Sequence, residues 1–280
     1  MSRREKMFAV LPTMLTLGNA LCGFAAITYA AKVGPEPAEG QGAHLLTAAL
    51  CIFAGMLFDA LDGRAARWAN QTSEFGAQLD SLCDAISFGV APAFLMIQFC
   101  HYNESVHHNG LYHSRVLWAI GALFAVCAVL RLARFNVETD EEDSHDSFSG
   151  LPSPAAAGAV ASFPIAMRGI DKLIAAKTSP LSGFTSEWIE PAAHNLLPLI
   201  TLAAACLMMS RIRYSHVFNQ VFTGRRNRAH VIQIVFTVAV VFMVQEMAVP
   251  LLFCYFAFAS PIRAAWERAM SSTNRESPAS

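Results

Sequence analysis

The stretch that decides the fold runs from Phe58 to Ala85: F-D-A-L-D-G-R-A-A-R-W-A-N-Q-T-S-E-F-G-A-Q-L-D-S-L-C-D-A. Asp59 and Asp62 stand at i and i+3, and Asp80 and Asp84 at i and i+4, so each pair shares one face of a helix. The first pair closes an apolar span, His44–Ala60, and the second opens the next, Asp80–Cys100. Carboxylates at the ends of apolar helices are costly to desolvate unless they are paired or metal-bound. Capping of a helix N-terminus would account for Asp80 alone. Ion pairs with Arg64 or Arg67 would account for Asp59 or Asp62. Neither explains four carboxylates in two facing pairs.

Outward from this stretch the chain is apolar almost throughout. Of its 280 residues, 54% are hydrophobic and 15% charged, against about 25% charged in an ordinary soluble domain. That composition excludes a disordered chain and argues against a large soluble enzyme. A net charge of −1 leaves no basic face for nucleic acid. A bilayer core needs roughly 20 apolar residues per helix. Candidate spans are Phe8–Ala31, His44–Ala60, Asp80–Cys100, Val116–Phe135, Pro152–Met167, Asn195–Ser210, Val231–Glu246 and Val249–Ala265. The expected fold is therefore all-α, a polytopic transmembrane helical bundle of about eight spans. The layout divides into a six-helix core over 1–210, a basic loop over 211–230, a C-terminal hairpin over 231–266 and a disordered tail over 267–280. Six spans would result if the final pair formed one re-entrant element. The fifth span, rich in Ala and Gly, has the small side chains that let helices approach closely.

Charge gives the orientation. With an even count both termini share a side, and fifteen of the twenty Lys and Arg fall there. These are Arg3, Arg4 and Lys6, Arg64 and Arg67, Arg131 and Arg134, the five between Arg211 and Arg228, and the three from Arg263 to Arg275. Lys32, Arg115, Arg168, Lys172 and Lys177 fall on the other. The positive-inside rule then turns the termini and the Asp59–Asp80 loop to the cytoplasm, most simply across the cell (inner) membrane. The N-terminal apolar stretch exceeds a signal-peptide h-region and carries Thr13, Thr16 and Asn19, so an uncleaved first helix is expected.

Other polar features have simpler readings. The seven cysteines form no C-x-x-C pair and nearly all lie in apolar runs, as packing residues do. His101, His107, His108 and His113 sit in a loop without tight ligand spacing. The six carboxylates of Glu138–Asp146 lack the glycine of a calcium loop. Both read as solvated loops.

Magnesium and related hard cations take oxygen ligands, typically a few carboxylates plus substrate phosphates. Two helices presenting two aspartates each can hold two such ions, Mg²⁺ or Mn²⁺, at the membrane boundary. Gly63 and Gly76, lacking side chains, let a ligand approach the backbone. Arg67, one turn beyond Gly63, offers a phosphate-directed cation on the same rim. A divalent-cation transporter would also use four aspartates, but it gives no role to Gly63 or Arg67 and would place carboxylates mid-span.

The pattern Asp59-x2-Asp62-Gly63-x2-Ala66-Arg67-x8-Gly76-x3-Asp80-x3-Asp84 resembles the signature of the CDP-alcohol phosphotransferase family. The resemblance implies a CDP-linked lipid donor, two divalent ions on its pyrophosphate, and transfer of a phosphatidyl group to an alcohol with release of CMP. Carried over, Asp59, Asp62, Asp80 and Asp84 hold metal, and Asp84 also accepts the alcohol proton. Gly63, Ala66, Arg67, Gly76 and Ser73 line the cytidine-phosphate pocket.

Two further segments resemble the phosphatidylserine synthase branch of that family. One is L-P-T-M-L-T-L-G-N-A-L-C-G-F in the first span, where Thr16, Asn19 and Gly23 fit and Thr13 replaces the Asn expected after Pro. The other is R-L-A-R-F-N-V at 131–137, followed by F-S-G-L-P-S-P-A-A-A at 148–157. Together the resemblance spans roughly residues 8–165. It makes Arg131, Arg134, Asn136 and Asn19 candidates for binding the acceptor. Asn19 within an apolar helix needs a partner, either in the active cavity or on a neighbouring helix. The implied partners are CDP-diacylglycerol and L-serine in a lipid bilayer, with a homodimer open. Glycerol 3-phosphate, inositol phosphate and choline are alternative acceptors.

Overall fold

The computed structural model describes residues 3–34, 40–69, 74–107, 111–139, 150–175, 190–212, 250–259 and 261–262. All regular structure among them is helical. In a bilayer this satisfies every backbone N–H and C=O within its own segment. The helices are α1 (Arg3–Ala30), α2 (Gln41–Ala69), α3 (Glu74–Asp84), α4 (Ala91–His107), α5 (Ser114–Thr139), α6 (Ser153–Ala175), α7 (Glu190–Met209) and α8 (Pro250–Ala259). A π-helical turn, Ala85–Val90, joins α3 directly to α4.

Four stretches are long and apolar enough to cross a membrane: Pro12–Ala30, Gln41–Ala65, Glu74–Tyr102 and Ser114–Val137. Asn195–Met209 and Pro250–Ala259 are shorter apolar helices. The first four expected spans and the sixth thus have helical counterparts, and α6 covers the fifth. The span expected at 231–246 lies outside the described residues, as do the basic loop beyond Ile212 and the tail. Two expectations need correction. His101 and His107 do not lie in a loop, because α4 continues to His107 and no Gly or Pro between them stops the helix. The Asp59–Asp80 segment is not a loop: α2 continues to Ala69 and α3 begins at Glu74. Ala, Leu and Arg around the D-x-x-D-G segment are good helix formers, so nothing local ends α2 at the first aspartate pair.

Packing follows side-chain size. Ala156, Ala157, Ala159, Val160 and Ala161 of α6 are wholly buried at the centre of the bundle, as its small-residue content predicts. Large apolar side chains such as Leu21, Phe24, Leu57, Trp118 and Val126 point outward. An outward apolar surface is what a lipid-facing bundle requires. The α8 segment belongs to this packing: Phe253 stacks tilted on Phe53 of α2, with ring centroids 5.5 Å apart. It also lies so close to Gly158 of α6 that a Cβ there would collide with its ring.

The loop before α6 is pinned to the end of α7. Gly150 N–H donates to the Ile212 carbonyl at 2.9 Å and Leu151 N–H to that of Leu207 at 3.1 Å. Gly150 has φ +89°, and a Cβ on it would stand 2.5 Å from the Met208 carbonyl oxygen. Only glycine fits both the left-handed backbone and the contact.

Candidate active site

The aspartates gather where α2 ends its apolar stretch and α3 begins its own, near one end of two consecutive spans. Carboxylate oxygens of Asp59, Asp62 and Asp80 all lie within 4.8 Å of one another. Asp62 is buried, and Asp59 and Asp80 are half-buried. The Thr16 hydroxyl of α1 and the Gly63 backbone N–H lie within hydrogen-bond range of Asp62. The Asp62 Oδ2 and Asp80 Oδ1 atoms are buried without a hydrogen-bond partner. Three converging carboxylates, two of them with an orphaned oxygen, repel one another and lose hydration, a combination a hard divalent cation relieves. The donor set is all oxygen, so the residues fit Mg²⁺ or Mn²⁺ and not a thiol-seeking metal.

Asp84 sits differently. It lies one turn along α3 from Asp80 and is not one of the three convergent carboxylates. The buried Asn19 of α1 donates from Nδ2 to Asp84 Oδ1 at 2.9 Å. Both alternatives for Asn19 therefore hold at once: it makes a helix–helix hydrogen bond, and that bond leads to the site. Just beyond, Ser87 in the π turn donates from Oγ to the Asn19 carbonyl at 2.8 Å.

The expected nucleotide-pocket residues are only partly placed. Gly63 borders open space, with no heavy atom within 4 Å of where its Cβ would be, as a ligand-facing glycine should. Gly76 is half-buried in the first turn of α3. Ala66 and Arg67 continue α2 one turn past Gly63, their side chains outside the described set. Ser73 lies outside the described residues.

Among the other acceptor candidates, Arg131 has Asp84 as a charged neighbour. Its Nη1 donates to Ser153 Oγ at 2.9 Å, and its buried Nε has no partner. Asn136 instead pairs with Ser81, its Nδ2 donating to Ser81 Oγ at 3.0 Å, which ties the end of α5 to α3 beside Asp80. Arg134 is half-buried on the same helix. Sequence reasoning missed Ser81, Ser87, Ser153 and the π turn. Only Ser153 carried a signal, through its place in G-L-P-S-P.

A sequence profile described as CDP-alcohol phosphatidyltransferase matches residues 9–271. The chain belongs to that family. The match runs beyond the stretch of about 8–165 in which a resemblance was legible, and it takes in α8. Among curated relatives, the CDP-diacylglycerol–serine O-phosphatidyltransferase of Helicobacter pylori is 36% identical over 148 residues, covering 53% of this chain and 54% of that protein. The enzyme of the same name from Bacillus subtilis is 35% identical over 147 residues, covering 52% and 70%. The archaetidylserine synthase of Methanothermobacter thermautotrophicus is 34% identical over 212 residues, covering 75% and 71%. The chain spans about half the length of the Helicobacter protein it matches.

Proposed function

We propose that this membrane protein transfers a phosphatidyl group from CDP-diacylglycerol to the hydroxyl of L-serine, giving phosphatidylserine and CMP. The observation that carries the reading is the convergence of Asp59, Asp62 and Asp80, with Asp84 one turn away, on the two helices that bear the whole family signature. Asp59, Asp62 and Asp80 would hold Mg²⁺ or Mn²⁺, with Asp84 as the fourth carboxylate of a two-ion site. When bound, the metal neutralises charge on the donor pyrophosphate and its CMP leaving group.

The remaining work falls to side chains. Asp84, oriented through Oδ1 by Asn19, takes the serine hydroxyl proton on its other oxygen. The serine oxygen bonds to the lipid-bearing phosphorus as the bond to CMP breaks. Arg131, whose Nη1 bonds Ser153 and which has Asp84 as a charged neighbour, suits the serine carboxylate, with Arg134 on the same helix. Gly63, Gly76, Ala66, Arg67 and Ser73 would border the cytidine phosphate. Serine as acceptor draws support from the relatives: their names differ in the lipid and agree in serine. The Lys/Arg asymmetry supports a cytoplasmic site and the layout of core, basic loop 211–230 and hairpin 231–266.

The test is CMP release by the purified protein with CDP-diacylglycerol, Mg²⁺ and one alcohol at a time, repeated in sealed inside-out vesicles. Serine should release CMP, including when added outside those vesicles, and choline, inositol phosphate and glycerol 3-phosphate should release little. Equal rates with glycerol 3-phosphate would remove serine from the reading and leave phosphatidyl transfer standing.

A further inference from the structure

Asn19 is fully buried, and the donor end of its amide is committed. Nδ2 donates to Asp84, 65 positions away in sequence. Oδ1 has no hydrogen-bond partner and faces Gly55 of α2, where an added Cβ would come within 2.9 Å of it. Neither amide atom is exposed to solvent. The backbone around Asn19 is equally fixed. Ser87 Oγ donates to its carbonyl at 2.8 Å. Gly23, one turn further along α1, admits the same serine so closely that a Cβ there would stand 2.5 Å from Ser87 Oγ. The π turn carrying Ser87 starts at the residue after Asp84, and π turns often interrupt helices where a side chain must be re-aimed.

From this geometry we infer that Asn19 is a positioning residue for Asp84, held in place by Ser87, Gly23 and Gly55, and not a contact for the acceptor alcohol. Its amide fixes which carboxylate oxygen is tied to α1 and therefore which oxygen meets the hydroxyl. The inference rests on the proposed transferase reading with Asp84 as base.

The experiment is a double-mutant cycle on the purified full chain, with Asn19→Ala, Asn19→Asp, Asp84→Asn and the combinations. Asn19→Asp keeps the shape, replaces the amide donor by an acidic group and adds repulsion toward Asp84, so it stands in where Asn19→Ala does not fold. Either single change at Asn19 should lower kcat roughly 10- to 100-fold, the size of one lost hydrogen bond to a charged group. KM for the alcohol and Mg²⁺-dependent CDP-diacylglycerol binding should stay within about threefold, since neither is an interaction of Asn19. In the Asp84→Asn background the same change should cost almost nothing, because a residue acting through another is non-additive with it. An undiminished loss in that background, or a loss expressed mainly in the alcohol KM, overturns the inference. Absence of CMP release by the unmutated protein overturns the transferase reading instead. Release with an alcohol other than serine overturns only the acceptor, and the cycle then runs with that alcohol.

Discussion

Asp80 and Asp84 share a residue type, a helix and a helix face, yet their surroundings differ in kind. Asp80 meets two other carboxylates from α2 and keeps a buried oxygen without a partner. Asp84 is tied through one oxygen to the amide of Asn19 and has Arg131 among its charged neighbours, together with Asp59 and Asp80. One turn of helix thus separates a place that asks for a cation from a place where a single carboxylate is aimed. The helix supplies the spacing, and the neighbours α1, α2 and α5 supply the distinction.

The largest expected effect tests the Asp80 side. Chelation with EDTA should bring CMP release to background, and added Mg²⁺ or Mn²⁺ should restore it, since three close carboxylates lose their function without a cation. Full activity in excess chelator would leave the cluster without a catalytic role.

The Asp84 side answers to a smaller change. Asp84→Asn should lower turnover by about 10²–10⁴-fold, the usual contribution of a general base. CDP-diacylglycerol binding in Mg²⁺ should persist there and should fail in Asp80→Asn. If both variants lost binding equally, the two aspartates would not divide the work as their surroundings indicate. Retention of more than about a tenth of the activity in Asp84→Asn would remove it as base.

The smallest effect sharpens the role of the charged neighbour. Arg131→Lys keeps the charge and loses the planar fork. It should raise the KM for serine by about tenfold, one hydrogen bond's worth, and leave the KM for CDP-diacylglycerol nearly unchanged. A rise confined to the CDP-lipid would move Arg131 from the acceptor to the donor.

Much of this architecture is legible in the sequence. The apolar runs place the helices among the described residues but not all their ends, because a stretch of some 20 apolar residues has few other stable forms in a bilayer. The spacing of Asp59, Asp62, Asp80 and Asp84 marked the site through helical geometry alone. The extent of α2 and α3 was less legible, since polarity was read as a loop where helix propensity continues through Arg64–Ala69. The pairing of Asn136 with Ser81 was not legible at all, since it depends on how α5 crosses α3.

By itself the sequence determined the helical class, the membrane-spanning character, the pairing of carboxylates on helix faces and, through the spacing of eight residues, the family. These rest on local periodicity and transfer free energy, which act within one segment. Only the tertiary structure decided that three aspartates converge while the fourth bonds to Asn19, that Ser87 holds Asn19, and that Ser153 takes one nitrogen of Arg131. Those contacts join residues up to 68 positions apart. They depend on the close approach that Gly23 and Gly55 permit between helices, a packing outcome that no local pattern encodes.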